Sequence, residues 1–303
     1  MLRFLMDRHV CCFLLLVVGS LVAAPAFGQS PVPSGASVEQ VVTGFQFTEG
    51  PIWTEDGALL FSDIPANTIY RWSGGDSAEV YRRPSGHSNG LAFSNQGHLL
   101  LAQHDGRVSR IASDETEQPL AASYDGKRLN SPNDLTVASN GNVYFTDPPY
   151  GVEEAQRELD FSGVYRLDGS GELTLLADDF ARPNGLAFSP DESTLYVNDS
   201  RRGHIRAFDV TSDGRITNGR EFAVLEGDAP GAPDGMVTDR SGRVYSTGPG
   251  GLWVFDADGT ELARIAVPER ATNLAWGGSD GQTLYITTAN SIYRIRLDAT
   301  GGN

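Results

Sequence analysis

The chain repeats one short pattern six times, and this repetition constrains the fold more than any other feature of the sequence. Each copy has a polar lead residue, an apolar run, a turn containing Gly, Asp or Asn, and a second apolar run. The copies read EGPIWTEDGALLFSDI, NGLAFSNQGHLLLAQH, NDLTVASNGNVYFTDP, NGLAFSPDESTLYVND, DGMVTDRSGRVYSTGP and NLAWGGSDGQTLYITT. Their lead residues are Glu49, Asn89, Asn133, Asn184, Asp234 and Asn273, at intervals of 39 to 51 residues.

A third strand-sized run follows each copy, and most copies have a fourth. TIYRW and GVYRL are clear third runs, ELTLLAD and ELARIAV are clear fourth runs, and EQPLAAS is a weak one. No stretch after residue 28 shows a sustained apolar period of 3.6 residues, which argues against helices. Four strands in each of six units predict an all-β fold, a six-bladed β-propeller with four-stranded blades.

The last unit lacks a fourth run, whereas VEQVVT at 38–43 precedes the first unit without a partner. We expect residues 38–43 to form the outer strand of the blade that contains 284–297. This pairing closes the ring with the N-terminal strand and protects an exposed sheet edge.

Residues 1–28 have the pattern of a secretory signal peptide. Two arginines precede the run CCFLLLVVGSLVAA, and small residues follow it, so cleavage is expected after Ala26 or Gly28. A transmembrane anchor is the alternative interpretation. The sequence thus predicts an exported protein, periplasmic or secreted, with residues 29–303 forming a single propeller domain.

The composition excludes one type of catalytic chemistry and disfavours two classes of binding partner. Both cysteines, Cys11 and Cys12, lie in the leader, so cysteine chemistry is excluded from residues 29–303. A net charge of −16 disfavours nucleic acid and anionic membranes as partners. We expect a small-molecule substrate, and the sequence leaves the oligomeric state open, a monomer being compatible with it.

The six lead residues are expected to converge at one mouth of the propeller channel, because the first strand of each blade lies nearest the axis. They are two carboxylates and four carboxamides, a set of oxygen donors only. Such a set suits a hard divalent cation, first of all Ca²⁺, with Mg²⁺, Mn²⁺ and Zn²⁺ as alternatives.

Ordinary turns are the competing explanation for three of these positions. Asn89-Gly90, Asn184-Gly185 and Asp234-Gly235 are dipeptides that turns favour. Turns do not explain Glu49, nor the shared register of all six lead residues. The pattern therefore favours a polar site in the channel.

Several motifs resemble the senescence-marker-protein/gluconolactonase (regucalcin-like) family. They are FTEGPIW at 47–53, NSPNDL at 130–135, FTDPPYG at 145–151, RPNGLAFSPD at 182–191 and PDGMVTDRSGRVY at 233–245. The resemblance implies a six-bladed propeller with a central divalent ion, usually Ca²⁺, and hydrolysis of sugar lactones. It implies Glu49, Asn184 and Asp234 as metal ligands and Asn133 as a fourth ligand or substrate contact.

The sequence also departs from this family. Ser131 stands where the regucalcin branch has a substrate-binding arginine, which leaves the sugar undetermined. Ala275 stands where the more distant diisopropylfluorophosphatase has a histidine, which disfavours organophosphate hydrolysis as the native role.

Further polar residues are candidate substrate contacts: Asn89, His104, Asn130, Asn133, Tyr150 and Asn273. For His104 the alternative is a surface histidine that caps a loop, and for Tyr150 it is a rigid turn in Asp-Pro-Pro-Tyr-Gly.

The favoured interpretation is a metal-dependent lactonase of the gluconolactonase type. A bound Ca²⁺ polarises the lactone carbonyl, and Asp234 acts as general base or as nucleophile. The alternatives are a non-catalytic Ca²⁺-binding or ligand-binding propeller and a phosphotriesterase that uses the same metal site. No GxSxG motif or Ser-His-Asp order supports a serine hydrolase.

Overall fold

A computed structural model describes residues 29–302, and it is a six-bladed β-propeller, as predicted. Residues 1–28 lie outside the described residues, so the signal-peptide prediction is not tested. Between residues 29 and 302, no helix is long and apolar enough to cross a membrane.

Strand β1 (Glu39–Thr43) comes first, and blade one follows with β2 (Thr48–Trp53), β3 (Leu59–Asp63), β4 (Thr68–Trp72) and β5 (Glu79–Arg82). Blade two contains β6 (Ser88–Phe93), β7 (Leu99–Gln103), β8 (Arg107–Ile111) and β9 (Glu117–Ala121). A hairpin of β10 (Ser123–Tyr124) and β11 (Lys127–Arg128) leads to blade three, which contains β12 (Leu135–Val137), β13 (Val143–Asp147), β14 (Ser162–Leu167) and β15 (Leu173–Phe180). Blade four contains β16 (Pro183–Phe188), β17 (Thr194–Asp199), β18 (His204–Val210) and β19 (Ile216–Val224). Blade five contains β20 (Met236–Thr238), β21 (Val244–Gly248), β22 (Gly251–Phe255) and β23 (Glu261–Ala266). Blade six contains β24 (Ala271–Gly277), β25 (Thr283–Thr288) and β26 (Ser291–Arg296).

The ring closes as the sequence predicts. Strand β1 pairs antiparallel with β26, with Glu39 opposite Arg294 and Thr43 opposite Ser291. Blade six thereby gains its fourth, outer strand, and Val42 becomes buried beside Ile292. The edge of β26 is covered by the chain itself.

The weak fourth run EQPLA forms an outer strand, β9, as predicted, and it pairs antiparallel with β8, with Glu117 opposite Ile111 and Ala121 opposite Val108. One feature of the fold was not evident from the sequence. The insertion in blade three contains a single 3-10 turn, Glu154–Gln156, between β13 and β14. The β10–β11 hairpin and this insertion lie on the same face of the propeller as the lead residues, since both connect strands at that end.

Apolar side chains fill the spaces between adjacent blades. Leu100 and Val108 of blade two pack with Phe145 and Tyr165 of blade three in one such cluster. Across the closure, the ring of Trp53 stacks on Tyr285 at a centroid distance of 4.9 Å. Because both faces of every sheet are covered by a neighbour, the innermost strands are fixed around the axis.

Candidate active site

The six lead residues lie at the start of the six innermost strands, all on one face of the propeller. They share very low exposure: Glu49 3%, Asn89 2%, Asn133 3%, Asn184 3%, Asp234 6% and Asn273 5%. Since the six first strands surround one axis, these side chains form a polar ring at one mouth of the channel.

The glycines after four of the lead residues serve close packing between blades and do not form turns. The backbone N–H of Gly90 donates to the carbonyl of Asn133 at 2.7 Å, and that of Gly185 donates to the carbonyl of Asp234 at 2.9 Å. A Cβ on Gly90 would lie 2.8 Å from the Asn133 carbonyl oxygen, and a Cβ on Gly185 would collide with that of Asp234. The glycines therefore let adjacent innermost strands approach each other and join the lead residues into a ring.

Aspartates at the ends of three second strands hold the chain just before a lead residue. Asp63 accepts the backbone N–H groups of Gln46 and Phe47 at 3.0 and 3.2 Å. In the same way Asp199 accepts the N–H groups of Ala181 and Arg182 at 2.7 and 3.2 Å. In blade three Asp147 accepts the N–H of Asn130 at 2.8 Å. The Asp that ends each of FSD, FTD and VND thus fixes the backbone that leads into the mouth of the channel.

Asn273 connects two buried carboxylates in the ring. Its Nδ2 donates to Glu49 Oε2 at 3.0 Å and lies 3.4 Å from Asp134 Oδ2. Its Oδ1 accepts the N–H of Leu274 at 2.8 Å, so the amide is fully engaged. This arrangement makes Asn273 a residue that orients Glu49, and its predicted substrate contact stays a prediction.

Three buried carboxyl groups in the ring have raised pKa values. Burial, followed by the charges of Asp234 and Asp134, raises the pKa of Glu49 well above its ordinary value. Burial raises the pKa of Asp134 to about 7. It raises that of Asp234 to about 7 as well, although the Arg270 guanidinium works in the opposite direction. Buried carboxylates that lack compensating cations are costly, so this ring favours a bound positive charge.

Two carboxamides present unpaired oxygens in this ring. Asn184 donates through Nδ2 to Ser200 Oγ at 3.1 Å, and its buried Oδ1 has no hydrogen-bond partner. Asn89 lies with Nδ2 3.2 Å from His104 Nε2, and its buried Oδ1 is likewise unpaired. A buried acceptor without a donor is costly, and a cation satisfies it.

Asp234 is held rigidly by its backbone while its carboxylate faces the mouth. Its N–H donates to Thr247 Oγ1 at 2.9 Å, and its carbonyl accepts Asn198 Nδ2 at 2.6 Å. Its Oδ2 lies 3.6 Å from Arg270 Nη2. The adjacent Glu269 anchors the loop that carries Arg270, since its carboxylate accepts several hydrogen bonds from blade six, including that of the Ser291 hydroxyl at 2.7 Å.

The remaining candidate contacts fall into two groups. His104 and Tyr150 lie at the mouth, because His104 contacts Asn89 and the Tyr150 hydroxyl lies beside Asn184. Burial lowers the pKa of His104 to about 4, so its imidazole is neutral at pH 7. Asn130 is 1% exposed and donates through Nδ2 to the carbonyls of Asp147 and Phe161, which favours a structural role. Its predicted substrate contact stays a prediction.

The donor set at the mouth fits a divalent cation of the calcium type. Glu49, Asn133, Asn184 and Asp234 supply only oxygen, two of them as carboxylates. No three His, Cys, Asp or Glu side chains between residues 29 and 302 cluster in a way that could hold a metal ion, so a cation there depends on amide oxygens as well. Mixed carboxylate and carbonyl ligation is what Ca²⁺ tolerates best.

A separate cavity of about 660 Å³ occupies the opposite half of the channel. Its lining runs down the innermost strands to Trp53, Phe93 and Trp276, and it reaches the polar ring only at Asp134 and Asn273. The polar ring therefore lies between the cavity and the mouth of the channel.

Sequence reasoning missed two charged groups at this site. Asp134 occupies the position that is glycine after Glu49, Asn89, Asn184 and Asp234, and a carboxylate in place of glycine there could have been recognised in the sequence. Arg270 lies in the β23–β24 loop, outside the repeated pattern, and no feature of the sequence marks it.

Comparison with known proteins gives consistent matches along the chain. The family model described as SMP-30/Gluconolactonase/LRE-like region matches residues 47–290. The chain is 36% identical to a gluconolactonase of Zymomonas mobilis, across 87% of this chain and 82% of that protein. It is 30% identical to a pentonolactonase of Haloferax volcanii, across 84% of this chain and 85% of that protein. The structure of a Xanthomonas campestris gluconolactonase superposes with a TM-score of 0.80 at 35% identity, covering 88% of this chain and 91% of that one.

Proposed function

Because this chain belongs to the SMP-30/gluconolactonase/LRE-like family and is a lactonase, we propose that it opens sugar lactones with the help of one divalent cation, Ca²⁺ in the first place. One observation carries the metal part of this proposal. Buried carboxylates and unpaired carboxamide oxygens converge at a single mouth. The relatives named for gluconolactone and pentonolactone support a small cyclic ester as substrate.

The ligands of the cation are Glu49, Asn133, Asn184 and Asp234 in this proposal. When bound, the cation supplies a Lewis acid that polarises the lactone carbonyl and stabilises the developing oxyanion. Asn273 keeps Glu49 oriented through its 3.0 Å hydrogen bond, and Ser200 keeps the Asn184 oxygen turned towards the mouth.

Asp234 is the residue that moves the proton. Its carboxylate takes a proton from the attacking water as the water oxygen bonds to the lactone carbonyl carbon. The ring C–O bond then breaks, and the proton passes to the departing ring oxygen, so the product is a hydroxy acid. Direct attack by the carboxylate, with a covalent acyl intermediate, is the alternative role.

A hydrolysis screen tests this function. Glucono-δ-lactone, a pentonolactone, δ-valerolactone and a phosphotriester are offered to the purified protein before and after chelation, and acid release is followed at constant pH. We expect turnover of the sugar lactones, its loss with chelator and its recovery with Ca²⁺. Turnover that chelation leaves intact would contradict the metal site, and turnover of the phosphotriester alone would favour the phosphotriesterase alternative.

We also propose that the protein is exported, on the pattern of residues 1–28. Mass spectrometry of the protein from its native host is expected to find a mature end near residue 27 or 29. An intact Met1 in the cytoplasmic fraction would overturn this proposal.

A further inference from the structure

The second residue before each lead residue takes an equivalent position in the six repeats. These six residues are Phe47, His87, Ser131, Arg182, Ala232 and Ala271. Three of the six have polar side chains, and two of those three already have hydrogen-bond partners within the protein. His87 Nδ1 lies 2.9 Å from Asp105 Oδ1, and the Ser131 hydroxyl donates to the carbonyl of Pro148 at 2.7 Å.

Arg182 is the exception among these six positions. Within residues 29–302 its guanidinium makes no hydrogen bond, and no Asp or Glu oxygen lies within 4.0 Å of it. Elsewhere in the same blade, Arg206 and Arg220 reach aspartate oxygens at 2.8 and 2.7 Å. In a chain with 39 acidic and 23 basic residues, an arginine left without a carboxylate partner has its donors free for a ligand.

The structure holds Arg182 in place from two sides. The buried Asp199 accepts its backbone N–H at 3.2 Å, which fixes the chain two residues before Asn184. Its guanidinium carbon lies 4.8 Å from the centroid of the Tyr150 ring, within the range of a cation–π contact. Tyr150 in turn places its hydroxyl beside Asn184 and Ser200. The free guanidinium is therefore oriented at the edge of the candidate metal site.

We propose that Arg182 is a specificity-determining residue that binds the ring hydroxyl groups of a polyhydroxylated lactone. This inference rests on the proposed lactonase function and names the part of the substrate that the mouth recognises. The guanidinium offers five N–H donors in a flat fork, which suits neighbouring hydroxyl oxygens on one face of a sugar ring. A lactone without hydroxyl groups makes no use of these donors.

Two substrates and a matched control test the assignment. Arg182→Gln removes the charge and most donors, and Arg220→Gln removes a guanidinium from the outermost strand of the same blade. With glucono-δ-lactone we expect kcat/KM of Arg182→Gln to fall about 10- to 100-fold, mainly through KM. With δ-valerolactone we expect a change of less than about twofold, as for Arg220→Gln with both substrates.

Other outcomes overturn the assignment. An equal loss on both lactones shows that Arg182 only supports the fold of the mouth, and no loss on gluconolactone shows that it does not contact the substrate. Arg182→Lys keeps the charge but loses the flat fork of donors, so it should recover at most part of the lost kcat/KM, and full recovery would show that charge alone is recognised.

Binding of the product gluconate, measured by calorimetry, separates this inference from the proposed function. If the wild type turns over no lactone but binds gluconate at least tenfold more tightly than Arg182→Gln, the lactonase proposal fails and the role of Arg182 stands. Equal gluconate binding by both proteins overturns the inference, and so does a wild type that neither binds gluconate nor hydrolyses a lactone.

Discussion

Replacing Asp134 by Asn should stabilise the metal-free protein at alkaline pH. Asp134 is 8% exposed, and burial raises the pKa of its carboxyl from 3.8 to about 7. Asparagine keeps the shape of the side chain and an oxygen for the N–H of Leu135, which Asp134 Oδ1 now accepts at 2.9 Å. The substitution therefore removes a buried charge with little change in packing.

The sign follows from the raised pKa. The folded chain holds this proton more tightly than the unfolded chain, so ionisation above the folded pKa lowers the free energy of unfolding. The cost is full above about pH 7 and fades as the pH falls towards 3.8. The pKa values of Asp134 in the unfolded and folded chain differ by about three units, which corresponds to a destabilisation of about 4 kcal/mol. This value is an upper bound, because structural relaxation and water penetration reduce the cost of the buried charge. We expect a gain of about 2–4 kcal/mol at pH 8 and at most about 1.5 kcal/mol at pH 5.

Urea unfolding in chelator at the two pH values measures this gain. Asp178→Asn, an exposed aspartate on the outer strand of the same blade, is the matched control and should change stability by less than about 0.5 kcal/mol. Saturating Ca²⁺ should shrink the gain, because a bound cation offsets the charge of Asp134. A variant no more stable than the wild type at pH 8, or one with an equal gain at both pH values, would refute the reasoning.

Four further changes test the site and the fold. Asp234→Asn should lower lactonase kcat by about 10²-fold or more at saturating Ca²⁺, with metal content measured on the same sample, and near-normal turnover with metal bound would end its catalytic role. Asn273→Ala should weaken Ca²⁺ binding about tenfold by calorimetry, since Glu49 loses its 3.0 Å donor, and unchanged affinity would contradict this. Gly185→Ala should lower the free energy of unfolding by about 1–3 kcal/mol, because its Cβ collides with the Asp234 carbonyl, and an unaltered urea midpoint would show that the strands can separate. Deletion of 29–43 should lower the melting temperature by roughly 6–12 °C, for about 3 kcal/mol lost with β1, and an unchanged melting temperature would show that ring closure adds no stability.

The blades could be predicted from the sequence because each strand is short, alternating and bounded by turn residues. The closure by β1 was predictable too, since an unpaired run before blade one matched a missing run in blade six. The strand EQPLA was only weakly predicted because Pro119 and two polar residues, Glu117 and Gln118, give it little β-propensity of its own. Its place in the sheet comes from tertiary pairing with β8, which local sequence does not report.

The site could be predicted only in part, for a similar reason. Glu49, Asn184 and Asp234 hold the repeated lead position, and their burial at one mouth follows from the symmetry of the fold. The glycines that follow lead residues suggested turns, but in the structure they allow innermost strands of adjacent blades to pack closely. Arg270 reaches Asp234 from a loop, and loop conformation is set by long-range anchors such as Glu269 that a linear pattern does not contain.

The pairing of β1 with β26 also determines when the molecule can be completed during synthesis. The two strands are about 250 residues apart, and Thr43 meets Ser291 only after every blade between them has been made. Until then the growing chain is an open arc with two uncovered sheet edges, and a contact at this separation in sequence is slow to form. Such an arc stays unfinished while it leaves the ribosome, a state that suits the export proposed above. The polar mouth takes shape only when the arc closes, so the proposed metal site is incomplete in a partly translated chain.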